Sequence, residues 1–172
     1  MVCIYWCEDS PACQVTDVDW FDFVQPDISD FESICALYIV GDWNSRVGSR
    51  EDYICNDVHT MYLDDDDCVP HNTLVRASVD KVCHNVGVKL LDLCKSTCFR
   101  LVNGRLHRDC EGMFTFANSN GASVIDYLLT REKHFSLISD FSICSFNEYS
   151  DHAVAYFSLK TCTSLHRHGE NS

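Results

Sequence analysis

The chain has 172 residues, 46% of them hydrophobic and 12% aromatic, which suits one domain with a packed core and excludes a largely disordered chain. Its formal charge is −13 and unevenly placed: residues 1–70 hold 16 acids against Arg46 and Arg50, while residues 71–172 hold 10 acids against 11 bases. Phosphate backbones are bound by Lys and Arg that displace counterions, so the acidic first part argues against strong non-specific nucleic-acid affinity.

Met1 to Cys13 contain no Lys or Arg, with Glu8 and Asp9 among them, and make neither the n-region nor the h-region of a signal peptide. No run reaches the roughly 18 apolar residues of a membrane span, so a chain without membrane contact, in the nucleus or cytoplasm, is expected. Twelve cysteines would suit a secreted disulfide framework, yet no export signal accompanies them. Cys3 and Cys7, and Cys94 and Cys98, share an x3 spacing, but no Cys or His pair follows at zinc-site distances. Thiols packed as small hydrophobes are expected instead.

In chain order, Val2 to Tyr5 reads as a short buried strand and Glu8 to Pro11 as a loop. Trp20, Phe23, Val24, Ile28, Phe31 and Ile34 recur at three- and four-residue steps, predicting a helix with a kink or break near Gln25 caused by Pro26. Ala36 to Val40 reads as a buried strand stopping at Gly41. Residues 45–72 carry dense charge without period and read as a surface loop, in which Asp64 to Asp67 form a solvated turn rather than a cation site. Asn85 is the expected cap of a helix with an inner stripe of Val88, Leu90, Leu91 and Cys94, ending near Thr97. Strands are expected at Phe99 to Val102, Met113 to Ala117, Val124 to Leu129, Phe141 to Cys144 and Val154 to Leu159. A domain over residues 1–162 and a disordered tail over 163–172 follow from this pattern.

Three strings stand at strand ends, where a rigid sheet can aim polar groups into one cleft. In Gly41-Asp42-Trp43-Asn44, a carboxylate and an amide two residues apart can accept a proton and hold a water or phosphate oxygen. In Val124-Ile125-Asp126-Tyr127-Leu128-Leu129, a carboxylate interrupts an apolar strand, which is costly unless it is paired. Ser150-Asp151-His152 places an imidazole beside carboxylates that favour its charged form, suiting it to neutralise a phosphorane-like charge. Each string alone is ordinary turn chemistry.

In this order the strings resemble the endonuclease/exonuclease/phosphatase superfamily, and most of all the endonuclease domains of non-LTR retrotransposons. The stretch from Asn85 to Cys94, Val102-Asn103-Gly104-Arg105 and Phe114-Thr115-Phe116 extend the resemblance, which runs from about Ile4 to Leu159. It implies an α/β (α+β) fold, a four-layer αββα sandwich of mostly antiparallel sheet with flanking helices, of which this chain holds roughly the second half. It implies Mg²⁺- or Mn²⁺-assisted hydrolysis of a phosphodiester, with DNA as the ancestral substrate.

Carried over residue by residue, Asp42 is the base or water-orienting carboxylate and Asn44 binds the scissile phosphate. Asp126 holds His152 in one tautomer, Asp151 lies with Asp42 on the metal side, Tyr5 reaches a phosphate oxygen, and Thr115 faces the substrate cleft. Domains of this kind place a further half before the Tyr5 strand, which supplies an Asn and a metal-binding Glu that have no counterpart here. Cys98 and Cys110 replace glycines usual at turns, where a left-handed backbone costs a non-glycine residue about 1 kcal/mol. A truncated, weakly active or inactive domain is therefore expected, with an uncovered sheet face open to self-association. A non-catalytic remnant or interaction module, and a phospholipid or small-phosphoester phosphodiesterase, remain the alternatives.

Overall fold

The computed structural model describes residues 20–54 and 75–160. The elements are α1 (Trp20–Glu32), β1 (Ile39–Asp42), α2 (Asn85–Thr97), β2 (Phe99–Leu101), β3 (Phe116–Asn118), β4 (Gly121–Ser123), β5 (Asp126–Arg131), β6 (Ile138–Ile143) and β7 (Ala155–Leu159), with 3-10 turns at His107–Asp109 and Glu132–Leu137. Among the described residues no helix is long and apolar enough to cross a membrane.

Strand β5 is the spine. It lies between β1 and β2, antiparallel to both, with Val40 opposite Leu128, Gly41 opposite Tyr127, and Leu101 opposite Leu129. Successive side chains of a strand point to opposite faces, and β5 uses both. Tyr127 and Leu129 pack with Val24 and Ile28 of α1 and with Leu90, Leu91 and Cys94 of α2. Leu128 turns the other way and packs with Tyr38, Val102, Ile138 and Phe141, against which Phe157 and Leu159 of β7 close. Helices, three-stranded sheet and the β6/β7 hairpin are thus stacked as successive layers, and the mixed α/β architecture with antiparallel sheets expected from the resemblance is the one observed. The β3/β4 hairpin stands beside them, with Ala117 opposite Ala122.

Several local expectations change. Helix α1 continues through Pro26 rather than breaking. Proline forfeits one backbone hydrogen bond there, while the buried Val24 and Ile28 on either side of it hold the helix to the core. Its inner stripe is shorter than the periodicity suggests, because Phe31 and Ile34 are exposed. Strand β1 runs past Gly41 to Asp42, since β5 offers partners for both residues. The cap of α2 is His84, whose Nδ1 accepts the Gly87 N–H at 3.2 Å, so Asn85 becomes the first helical residue.

The stretch 45–54 is not simply surface loop: Ser45, Val47, Gly48 and Asp52 are buried in it. Met113 is exposed, and the strand near it begins only at Phe116. Cys98 does take a left-handed backbone, with φ 59°, whereas Cys110 is right-handed at φ −69° and carries no such cost. Cys98 is also disulfide-bonded, contrary to a thiol reading, while Cys35, Cys83, Cys94, Cys110 and Cys144 are free. The expected Val2 to Tyr5 strand, the Asp64 to Asp67 turn and the tail beyond 160 lie outside the described residues.

Candidate active site

Asp42 is the last residue of β1 and Asp126 the first of β5, and the register sets them directly opposite each other. Like charges in that position repel. Asp42 and Asp126 are each pushed above the ordinary carboxylate range. For Asp42 the cause is burial, opposed by the Asn44 N–H and by His152. For Asp126 it is burial, with the neighbouring Asp42 adding to it and Thr115 and His152 opposing.

His152 comes from a third segment. Residues 151–153 lie along β3: the Ala117 N–H donates to the Asp151 carbonyl at 2.8 Å and the Ala153 N–H to the Thr115 carbonyl at 2.7 Å. The Ser150 hydroxyl oxygen accepts the His152 N–H at 3.1 Å. Phe116 stands edge-on to the imidazole, 5.0 Å between ring centroids. Held in this way, His152 directs Nδ1 at both oxygens of Asp126, 3.2 and 3.1 Å away. An ionised carboxylate only accepts, so the Nδ1 that faces Asp126 carries a proton.

Asp42, Asp126 and His152 each offer a ligand atom, all within 4.8 Å of one another, the arrangement of a group that could hold a metal ion. Two half-buried carboxylates and an imidazole are a reasonable donor set for Mn²⁺, and the carboxylates alone suit Mg²⁺. Asp151 is exposed and stands outside this trio.

Asn44 takes a left-handed backbone, φ 48°, and its N–H donates to Asp42 Oδ1 at 2.8 Å. This turn, which Asn tolerates better than most residues, holds the Asp42 carboxylate against the Asn44 backbone. Two residues on, Arg46 forms two hydrogen bonds to Asp80, at 2.8 and 2.7 Å. Asp80 also accepts the Val124 N–H at 3.2 Å, tying the turn after β1 to the approach to β5. Thr115 is fully buried, and its hydroxyl oxygen accepts the N–H groups of Ile125 and Asp126 at 3.0 Å each. In this position it acts on the Asp126 backbone. Tyr5 lies outside the described residues. The motif strings pointed to Asp42, Asn44, Asp126 and His152, whereas the contacts of Phe116 and Ser150 with His152 went unread although both residues sat within those strings.

The fold that gathers these carboxylates and the imidazole at one sheet edge is similar to that of solved nuclease structures. Among solved structures the chain is similar to the endonuclease domain of TRAS1, a telomere-specific non-LTR retrotransposon, with TM-score 0.54 and 15% identity over 92% of this chain and 56% of that one. It is also similar to the 3′-5′ exonuclease NExo from Neisseria meningitidis, with TM-score 0.53 and 16% identity over 90% of this chain and 57% of that one. A structure of the 3′ phosphatase NExo from Neisseria bound to product DNA hairpin matches at TM-score 0.51 and 16% identity, over 90% and 56% of the two chains. At these identities the likeness is one of fold, and the chain spans little more than half the length of each structure. No family model matches the sequence, and no curated protein does.

Proposed function

We propose that this chain carries the phosphate-handling side of a metal-assisted phosphodiester hydrolase of retroelement-endonuclease type, acting on DNA. The observation that carries the reading is the convergence of Asp42, Asp126 and His152, contributed by three separate segments, within 4.8 Å. Asp42 accepts the proton of the attacking water. Asn44, fixed by the turn it makes with Asp42, binds a non-bridging phosphate oxygen through its amide. The imidazole of His152, oriented by Asp126, presents Nε2 to the phosphoryl group and, once protonated there, neutralises the charge developing on it.

Asp42 belongs both to the Asp42/Asp151 pair that the resemblance implies and to the structural trio, and we assign it as the carboxylate anchor of Mg²⁺ or Mn²⁺. When bound, such a cation polarises the phosphoryl oxygen and stabilises the leaving oxygen. The trio contains no second carboxylate free of a histidine partner, so turnover by the chain alone is weak. The test is nicking of supercoiled plasmid by the purified chain in millimolar Mg²⁺ and Mn²⁺. Slow nicking that disappears in Asp42→Ala and His152→Ala is expected, and its loss should reach 10²-fold or more, about the contribution of a positioned base. Equal backgrounds in wild type and both variants would identify a non-catalytic remnant.

A further inference from the structure

Strand β2 ends at Leu101, three residues short of covering β5, yet Asp126 and Leu128 keep hydrogen-bond partners on that side. They find them in one side chain. Asn103 Nδ2 donates to the Asp126 carbonyl and Asn103 Oδ1 accepts the Leu128 N–H, each at 3.1 Å. A side-chain amide presents a donor and an acceptor much as a peptide group does, so Asn103 stands in for the missing strand backbone. The adjoining bond, from the Val102 N–H to the Leu128 carbonyl at 2.8 Å, continues the ladder.

The turn that delivers Asn103 is itself tightly held. Gly104 has φ +76°, and a Cβ there would lie 1.9 Å from the Ala77 carbonyl oxygen. Buried Asp109 accepts the Gly104 N–H at 3.1 Å, and the Ala77 N–H donates to the Gly104 carbonyl at 2.9 Å. Asn103 is 1% exposed, so neither of its bonds competes with water.

The Asp126 backbone is therefore clamped on both polar atoms, its N–H by Thr115 and its carbonyl by Asn103. We propose that Asn103 is a positioning residue for the Asp126–His152 pair. By fixing the start of β5 it keeps the carboxylate at the Nδ1 edge of the imidazole and holds His152 in the tautomer with Nε2 unprotonated. The catalytic meaning of that tautomer rests on the proposed hydrolase function, but the geometry it predicts does not.

The test is the ¹⁵N spectrum of ring-labelled histidine in the full chain, at a pH about two units above the ordinary imidazole value of ~6.5. His152 is assigned by loss of its signals in His152→Ala. Wild type is expected to show the Nδ1–H tautomer alone. Asn103→Leu removes both bonds, and Asn103→Asp keeps the acceptor but sets a carboxylate against the Asp126 carbonyl. Both should lose the single-tautomer pattern, whereas Leu90→Ala, which destabilises the core away from the site, should keep it. An unchanged His152 pattern in folded Asn103→Asp overturns the proposal, as does failure of both Asn103 variants to fold, which would make the residue a fold determinant only. If wild type does not nick plasmid, the hydrolase reading falls and the spectral comparison still decides the role of Asn103.

Discussion

Asp42 and Asp126 face each other across β1 and β5 with both pKa values raised, burial being the first cause in each. A carboxyl whose folded pKa exceeds its unfolded one favours the folded state when protonated. Its contribution is complete below the unfolded value, near 3.8, and is lost as pH rises through the folded value. At neutral pH the two ionised groups are therefore a standing cost to the fold. Asp42→Asn retains an oxygen to accept the Asn44 N–H while removing one charge. In EDTA at pH 7 it should melt above wild type, by about 2 to 4 °C for each kcal/mol relieved. Melts repeated toward pH 4 should converge. A bound cation reverses the balance, because a ligand that binds only the folded chain stabilises it. Millimolar Mn²⁺ is expected to raise the wild-type midpoint and leave Asp42→Asn nearly unmoved, and an equal rise in both would place the ion elsewhere.

At the scale of elements, the first turn of α2 shows how the frame reaches the site. Gly87 sits so close to the chain after β1 that a Cβ there would lie 1.8 Å from the Arg46 carbonyl oxygen. Gly87→Ala must push aside backbone two residues from Asn44, at a cost of about 1 to 3 kcal/mol. The expected result is a lowered melting point with weaker nicking, whereas Ala at exposed Val86 on the same turn should change neither much. Helix α2 was legible because Leu90, Leu91 and Cys94 fall on one helical face, and β5 and β7 because each lies in a mostly apolar run. Strand β4 was not, since Gly121-Ala122-Ser123 has no apolar signal and is a strand only because β3 pairs with it. The trio at the site was legible because each of its strings borders an apolar run, so that one sheet edge collects them. The burial of 45–54 could not be read, because Asp52 finds its partner in Arg105, 53 residues along the chain.

For the whole molecule, that pair and the outer hairpin decide how the chain behaves in solution. Asp52 and Arg105 have fully buried side chains joined by two bonds of 2.8 Å, and Asp52 also accepts the Leu101 N–H at 2.7 Å. Breaking such a pair from one side leaves an uncompensated charge, and Asp52→Ala should cost about 3 to 5 kcal/mol by denaturant melts. The outer hairpin acts through its surface. Among the described strands β7 pairs with β6 alone, which leaves its other edge without a strand partner there. Val154 and Tyr156, alternate residues along that segment and so on one face of it, are 58% and 51% exposed. An unpaired edge beside an apolar face is a template for another chain. The chain is therefore expected to self-associate with rising concentration in light scattering and to bind an apolar dye. Net charge of −13 opposes association, so the effect should strengthen as salt screens that repulsion. Val154→Lys with Tyr156→Lys puts cations on the same face and should restore a monomer with little dye binding, leaving the core contacts of Phe157 and Leu159 intact. A wild-type chain that stays monomeric and dye-free at high salt would show that the described β7 surface is not a contact face.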